Sequence, residues 1–504
     1  MSILMKKTIS PPHMITLLML TFIFALSGCK TLPPSTEMDS PEKIIEKTMS
    51  VLPAKDEEPE KPSLDISGVW HGELEVGSLA LLMEFSFSQI VQDQTTWMAV
   101  LNIPQQMAYE IPITRTEFDG TYLFLDMTTI QATYSATVEE TDEEIVISGT
   151  YTQGASLPLV LRKKEATSTP LRKHQEPIPP YPYVSEEISI TTQEDFLLGA
   201  TITRPDDGLK HPAVILISGS GQQDRDETIF GHKPFKVIAD SLTRSGFIVV
   251  RADDRGVGTS GGGATLSQAT TRDFARDAEA ILDHTLSLES VDSSAVGLIG
   301  HSEGALITVM VAARRQDVAF IILLNGPGII GKDLILAQSR EIMKAQGFPE
   351  ATIMAASEIN NAIYSTAVDP SLSQKEKADS IRHRLLAVGM GEDEADAQIA
   401  TLLSPWYVTF LSLDPQDYLP EISIPVFIVS GGKDIQVPSS LNVTALNDGL
   451  LKSRATVSIG IYPEMNHILQ PATTGLPMEY PLLETTVLPD LLDDMASWLG
   501  SITN

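Results

Sequence analysis

The sequence predicts an α/β protein, a mostly parallel sheet with a helical cap, preceded by a small all-β unit that is a sandwich or a barrel. Three observations predict it. Within a chain of 504 residues, too long for one ordinary core, residues 64–164 carry short alternating segments separated by Gly, Asp and Asn, the pattern of half-buried antiparallel strands. Residues 185–504 carry instead continuous Val/Ile/Leu runs with amphipathic stretches between them, as a parallel sheet covered on both faces requires. Between the runs at 320–324 and 425–429 lies a long helical stretch without a strand pattern, which reads as a cap inserted at about 328–418.

The elements follow in chain order. Residues 1–28 hold Lys6, Lys7, an apolar stretch at 14–26 and then Leu26-Ser27-Gly28 ahead of Cys29, the layout of a secretory leader with a small-residue cleavage site. The apolar run is shorter than the roughly 20 residues that a membrane span needs. Residues 29–63 are rich in Pro, Glu, Lys, Ser and Thr and read as a disordered tether. Strands are expected from 69 onward and at 80–90, 97–103, 122–127, 132–138, 144–151 and 157–161. A Pro-rich linker, 165–184, with Pro177, Pro179, Pro180 and Pro182, favours an extended spacer. A hairpin (187–191, 197–204) then leads into buried strands at 213–217, 247–250, 296–299, 320–324, 425–429 and 456–461.

Composition narrows the function. At 42% hydrophobic and 20% charged the chain is globular. Its formal charge of −31 repels polyanions, which argues against nucleic-acid binding, since that affinity comes from Lys and Arg on phosphates. A single cysteine permits neither an intramolecular disulfide nor a multi-cysteine metal site. No cofactor and no metal are implied, and the oligomeric state stays open.

Gly300-His301-Ser302-Glu303-Gly304 stands between an apolar run and a helical stretch. A nucleophile on a sharp strand-to-helix turn needs small residues two positions to either side, so Ser302 is the candidate nucleophile. A second match, Gly258-Thr259-Ser260-Gly261-Gly262, lies well past its strand and before a poor helix start, so Ser260 reads as loop structure. On such an elbow the partners follow in the order acid, then histidine, and only His383 and His467 come after Ser302. His383, between Arg382 and Arg384, suits an exposed helix face. His467 follows the last predicted strand and is the candidate general base. Asp434, in the loop after the run at 425–429, is the candidate orienting acid, with Glu464 as the alternative. The oxyanion needs two backbone N–H groups: one from Glu303, the other from Gly219-Ser220-Gly221, with Ser220 preferred to Gly221. The charged groups at 224–226 and 253–255 read as loop braces.

Together, 217–227, 253–260, 300–304, 431–438 and Asn466-His467-Ile468-Leu469-Gln470 resemble the α/β-hydrolase superfamily, and specifically bacterial esterases or acyl hydrolases with an N-terminal β domain. Asp65-Ile66-Ser67-Gly68-Val69-Trp70 matches that domain, while Gln222 stands where the family more often has proline. The resemblance implies a serine hydrolase cleaving small-molecule carboxylic esters of short to medium acyl chain through an acyl-enzyme on Ser302. A serine peptidase would use the same triad, and a non-catalytic binding lipoprotein would lack a member of it. Residues 26–29 resemble a bacterial lipoprotein signal, implying lipid on Cys29, a membrane anchor and, from Lys30, the outer membrane facing the periplasm.

Overall fold

In the computed structural model the described residues are 64–163, except 77–78, 92–94, 104–107, 128–129, 131, 141–143 and 154, together with 173–503. The leader, Cys29, the tether and the first part of the linker lie outside them. Contacts divide the chain into two units, one holding 64–163 and the other 173–503.

The first unit is a nine-stranded antiparallel sheet: β1 (Gly68–Val76), β2 (Leu79–Val91), β3 (Thr95–Ile103), β4 (Ala108–Pro112), β5 (Arg115–Phe118), β6 (Tyr122–Met127), β7 (Ala132–Glu140), β8 (Ile145–Gln153) and β9 (Ala155–Lys163). Its order is β4-β3-β2-β1-β9-β8-β7-β6-β5. The two ends approach one another across the β4–β5 turn. Ile113 N–H donates to Ala99 O of β3 and Thr114 N–H to Asp126 O of β6, and the Trp97 and Phe118 rings meet edge to face at 6.0 Å. Of the two architectures expected, the sheet is therefore a near-barrel. Period-two alternation fills its interior with Trp70, Phe85, Leu101, Leu123, Tyr134 and Leu161, all fully buried. Strands β4 and β5 escape sequence reading because they are short, and β5 buries no side chain fully, which removes the hydrophobic alternation.

The second unit is an eight-stranded sheet: β10 (Val184–Thr191), β11 (Leu197–Arg204), β12 (His211–Ile217), β13 (Ile248–Ala252), β14 (Val291–His301), β15 (Phe320–Leu324), β16 (Val426–Gly431) and β17 (Val457–Tyr462), in the order β10-β11-β13-β12-β14-β15-β16-β17. The β10–β11 hairpin is antiparallel and joins β13 antiparallel; from β13 to β17 all pairings are parallel. One face buries against α1 (Pro234–Arg244) and α10 (Pro489–Thr503), the other against α2 (Thr271–Leu286) and α3 (Glu303–Ala312). Every residue of α3 is buried, consistent with its lack of a polar face. Helix α9 (Ser439–Leu450) follows β16.

Five α-helices separate β15 from β16: α4 (Gly331–Ala345), α5 (Glu350–Val368), α6 (Gln374–Ala387), α7 (Glu392–Leu402) and α8 (Pro405–Ser412). Most apolar side chains of this insertion are consumed by packing. Ile335, Ile342, Leu402, Tyr407 and Phe410 are buried in the same cluster as the sheet, while Leu336, Leu403 and Trp406 stay half-buried.

The second half of the Pro-rich stretch is no free spacer. Gln175 Nε2 donates to Val487 O at 2.7 Å, its Oε1 accepts from the N–H groups of Thr486 and Val487, and Glu176 pairs with Lys233 and Lys236. Sequence texture reports how extended such a segment is. Its docking depends on partners some three hundred residues away, at separations of 311 and 312 positions.

Candidate active site

Ser302 sits between β14 and α3 at φ 54° and ψ −120°, a left-handed conformation that costs a non-glycine residue free energy and persists only where its surroundings enforce it. Here they do. Its N–H donates to Leu324 O at 2.9 Å, and the flanking glycines let strand and helix close on one another. A Cβ at Gly304 would lie 2.1 Å from Ile217 O, and one at Gly300 would lie 2.1 Å from Gly304 O.

The turn aims Ser302 Oγ at His467 Nε2, 3.1 Å away. His467 Nδ1 lies 2.9 Å from Asp434 Oδ2. The other oxygen, Oδ1, accepts from the N–H groups of Gln436 and Val437, both at 2.8 Å, which fixes the carboxylate plane. Asp434 and His467 are 5% and 6% exposed, so the chain of three is screened from water except at the serine. The structure brings the three candidate residues together. Glu464 is exposed, whereas His467 Nδ1 is held by Asp434, and His383 is exposed on α6. Ser260 is a loop brace, accepting from Gly199 N–H and donating to Asp253 O.

The loop after β12 passes directly beside the nucleophile. A Cβ on Gly219 would lie 3.3 Å from Ser302 Cβ, so a side chain there would crowd the nucleophile. Gly219 N–H is already committed, donating to Glu227 Oε1 at 2.7 Å. This leaves Ser220 and Gly221 as the loop's oxyanion candidates; Gly221 is at φ 104°. Glu303 N–H is the first of α3, where helix geometry supplies no acceptor and favours negative charge. The expected braces hold the loop: Arg225 pairs with Asp253, Arg251 with Asp226, Arg255 with Asp277. Asp254 accepts from Ser218 Oγ at 2.8 Å and Gln223 N–H at 2.9 Å.

The Glu303 side chain has a part that its backbone role did not suggest. It is 3% exposed, its Oε1 accepts from Thr271 Oγ1 at 2.6 Å, and Trp406 Nε1 of α8 donates to Oε1 at 3.0 Å. The inserted helices are thus pinned to the residue after Ser302. Burial pushes the Glu303 carboxyl up to about 7 and, with Glu303 and Glu227 nearby, the Asp254 carboxyl up to about 8. A carboxyl whose pKa is higher folded than unfolded holds its proton preferentially in the folded chain. Its effect is that stability falls as pH rises from 4.5, the ordinary value, to about 7. Glu303→Gln keeps an acceptor for Thr271 and Trp406 but cannot ionise, so it is expected to recover up to roughly 3 kcal/mol at pH 8 relative to wild type. Melting curves at pH 5 and pH 8 check this, and an unaltered difference between the two in the variant counts against a protonated Glu303.

Among the described residues no group of three or more His, Cys, Asp and Glu is arranged to hold a metal. Sequence reasoning assigned no role to the side chains of Glu227, His301 and Asn325, which lie behind the site. The only available signal was their place at or next to strand ends or in the loop after β12.

Residues 233–470 match the serine aminopeptidase S33 family model, a span that includes Ser302, Asp434 and His467. The chain is 26% identical over 340 residues to esterase EstD of Thermotoga maritima, covering 67% of this chain and 72% of that protein. Among solved structures, an esterase of Pyrococcus furiosus aligns with 15% identity over 64% of this chain and 90% of its own, at a TM-score of 0.39. A hypothetical protein of Pseudomonas aeruginosa aligns with 13% identity over 65% and 96%, at 0.41. With the sheet order and the elbow on one side and the similarity to that family model and to EstD on the other, the chain has an α/β-hydrolase fold and is esterase-like.

Proposed function

We propose that the protein hydrolyses carboxylic esters of short to medium acyl chain through an acyl-enzyme on Ser302. The observation that carries this reading is the unbroken Ser302–His467–Asp434 chain on a strained elbow. His467 Nε2 takes the Ser302 proton as Oγ attacks the ester carbonyl, and Asp434 holds Nδ1–H so that Nε2 is the free acceptor. The tetrahedral oxyanion rests on Glu303 N–H and on that of Ser220 or Gly221. His467 then protonates the leaving alcohol, and water attacks the acyl-enzyme with His467 again as base.

The short acyl range is supported by the insertion, whose apolar side chains are mostly spent on packing. Half-buried Trp406 is held through Nε1 on the side chain of Glu303, the residue after Ser302, and is the side chain expected to confine the acyl group. A confined pocket gains roughly 0.8 kcal/mol per buried methylene until it is filled. For p-nitrophenyl esters, kcat/KM is therefore expected to rise from acetyl towards butyryl or hexanoyl and then fall. A monotonic rise to long chains would indicate an open groove instead. The S33 match favours a second reading, a peptidase with the same triad. Turnover of aminoacyl anilides without turnover of simple esters would establish that one.

The anchor is a separate part of the proposal, supported by the sequence around Cys29. The mature chain begins at lipid-modified Cys29 on the outer membrane, facing the periplasm. Intact mass of protein extracted from membranes should show acyl additions and no residues 1–28; a chain that retains its leader would refute this.

A further inference from the structure

The loops around Ser302 converge on one backbone oxygen. The carbonyl of His467 accepts from His301 Nε2 at 2.8 Å and from Asn325 Nδ2 at 2.8 Å. Neither donor ends there. Asn325, directly after β15, also accepts at Oδ1 from Gly431 N–H at 2.8 Å, at the start of the loop that carries Asp434. His301, the last residue of β14, places Nδ1 2.9 Å from Glu227 Oε1, the same oxygen that accepts from Gly219 N–H. A buried chain of hydrogen bonds therefore runs from the oxyanion loop through Glu227 and His301 to His467 O, and from there through Asn325 to the acid loop.

We infer that Asn325 and the Glu227–His301 pair are positioning residues that set, through the carbonyl of His467, where the imidazole stands relative to Ser302, Asp434 and the oxyanion loop. The inference rests on the hydrolase reading of Ser302. All three side chains are buried, at 5% exposure or less.

Their chemistry suits the task. A carbonyl only accepts, so His301 Nε2 must carry a proton, and Glu227 Oε1, already accepting from Gly219, calls for a second proton on Nδ1. Burial works against a charged ring, but the Glu227 carboxylate, the His467 carbonyl and the more distant Asp434 together outweigh it and raise the pKa of His301. The groups facing that ring are Glu227, His467 and, further off, Asp434. The arrangement is costly for the fold by itself: Glu227 is 4% exposed with Oε2 lacking a hydrogen-bond partner, and both Glu227 and Asn325 hold positive φ, at 52° and 48°. Asparagine tolerates that conformation better than most side chains, and unlike glycine it also supplies an amide.

The test uses the full chain. Asn325→Gly permits the same backbone conformation and deletes the side chain with its amide; Glu227→Ala cuts the link to the oxyanion loop; Glu227→Gln keeps an acceptor for Gly219 N–H. Rates of fluorophosphonate labelling, kcat and KM for a p-nitrophenyl ester, and melting temperature are measured for each. A displacement of about 1 Å at a reacting group costs on the order of a hundredfold in rate. Asn325→Gly and Glu227→Ala are thus expected to label and turn over on the order of a hundredfold more slowly, with KM within about twofold and a cooperative melt retained. Glu227→Gln should fall between wild type and Glu227→Ala. Wild-type labelling rates in both deletion variants, a raised KM at unchanged kcat, or loss of the folded state in both would overturn the inference. A wild-type chain that does not label at all would instead sink the hydrolase reading, so the two failures are distinguishable.

Discussion

Ser302→Ala is expected to abolish covalent labelling by a fluorophosphonate and to lower ester turnover by about six orders of magnitude, the scale on which removal of the nucleophile acts in serine triads. The argument is positional. Ser302 Oγ is 3.1 Å from a histidine that is itself tied to a buried carboxylate. The substitution removes one oxygen from a half-buried site, and alanine keeps a Cβ in the same strained turn, so the fold should survive and the melting temperature should stay close to wild type. Ser260→Ala is the control. Its hydroxyl is spent on Gly199 N–H and Asp253 O, so this variant should label at the wild-type rate and differ, if at all, in the stability of its loop. Labelling lost in Ser260→Ala and kept in Ser302→Ala would reverse the assignment of the two Gly-x-Ser-x-Gly segments.

Asp434→Asn should leave the fold intact and reduce kcat by about four orders of magnitude. The reason lies in the two N–H groups, of Gln436 and Val437, that point at Asp434 Oδ1. In the variant they hold the amide oxygen in that position, which turns the amide nitrogen towards His467 Nδ1. Nδ1 must then accept, and the ring proton moves to Nε2, where it faces Ser302 Oγ. The imidazole has lost the free lone pair that a general base requires, at nearly unchanged geometry. Turnover of an activated ester, with melting curves for both proteins, checks the prediction. Full activity in Asp434→Asn would mean that another carboxylate, with Glu464 the first to test, orients the ring.

Much of this site was legible in the sequence because its chemistry is carried by local punctuation. The elbow announces itself by glycines at 300 and 304, which the structure explains as places where a Cβ would strike backbone oxygen. The strands β12 to β16 read as apolar runs, since each is covered on both faces; the run expected to be buried at 456–461 is instead the edge strand β17, where Ile459 and Ile461 are exposed because no strand lies beyond it. His467 and Asp434 followed from chain order and from loops placed directly after such runs. Strands β4 and β5 were not legible, because neither length nor alternation distinguishes them from loop. The docking of Gln175 on Thr486 and Val487 was also invisible, since nothing local records a distant partner.

What the sequence determined by itself is the set of segments with their own period or turn chemistry: a β unit, a parallel sheet with an inserted helical stretch, a serine on an elbow, and an acid and a histidine after later strands. Tertiary structure alone decided the closing of the nine strands into a near-barrel, the commitment of Gly219 N–H to Glu227, the pinning of Trp406 to Glu303, and the convergence of His301 and Asn325 on the carbonyl of His467. The physical reason is the range of the interactions. Periodicity and turn preference act over a few residues and are written in them, whereas a buried donor is satisfied by whatever acceptor the fold delivers, here as far as 166 positions away in the chain.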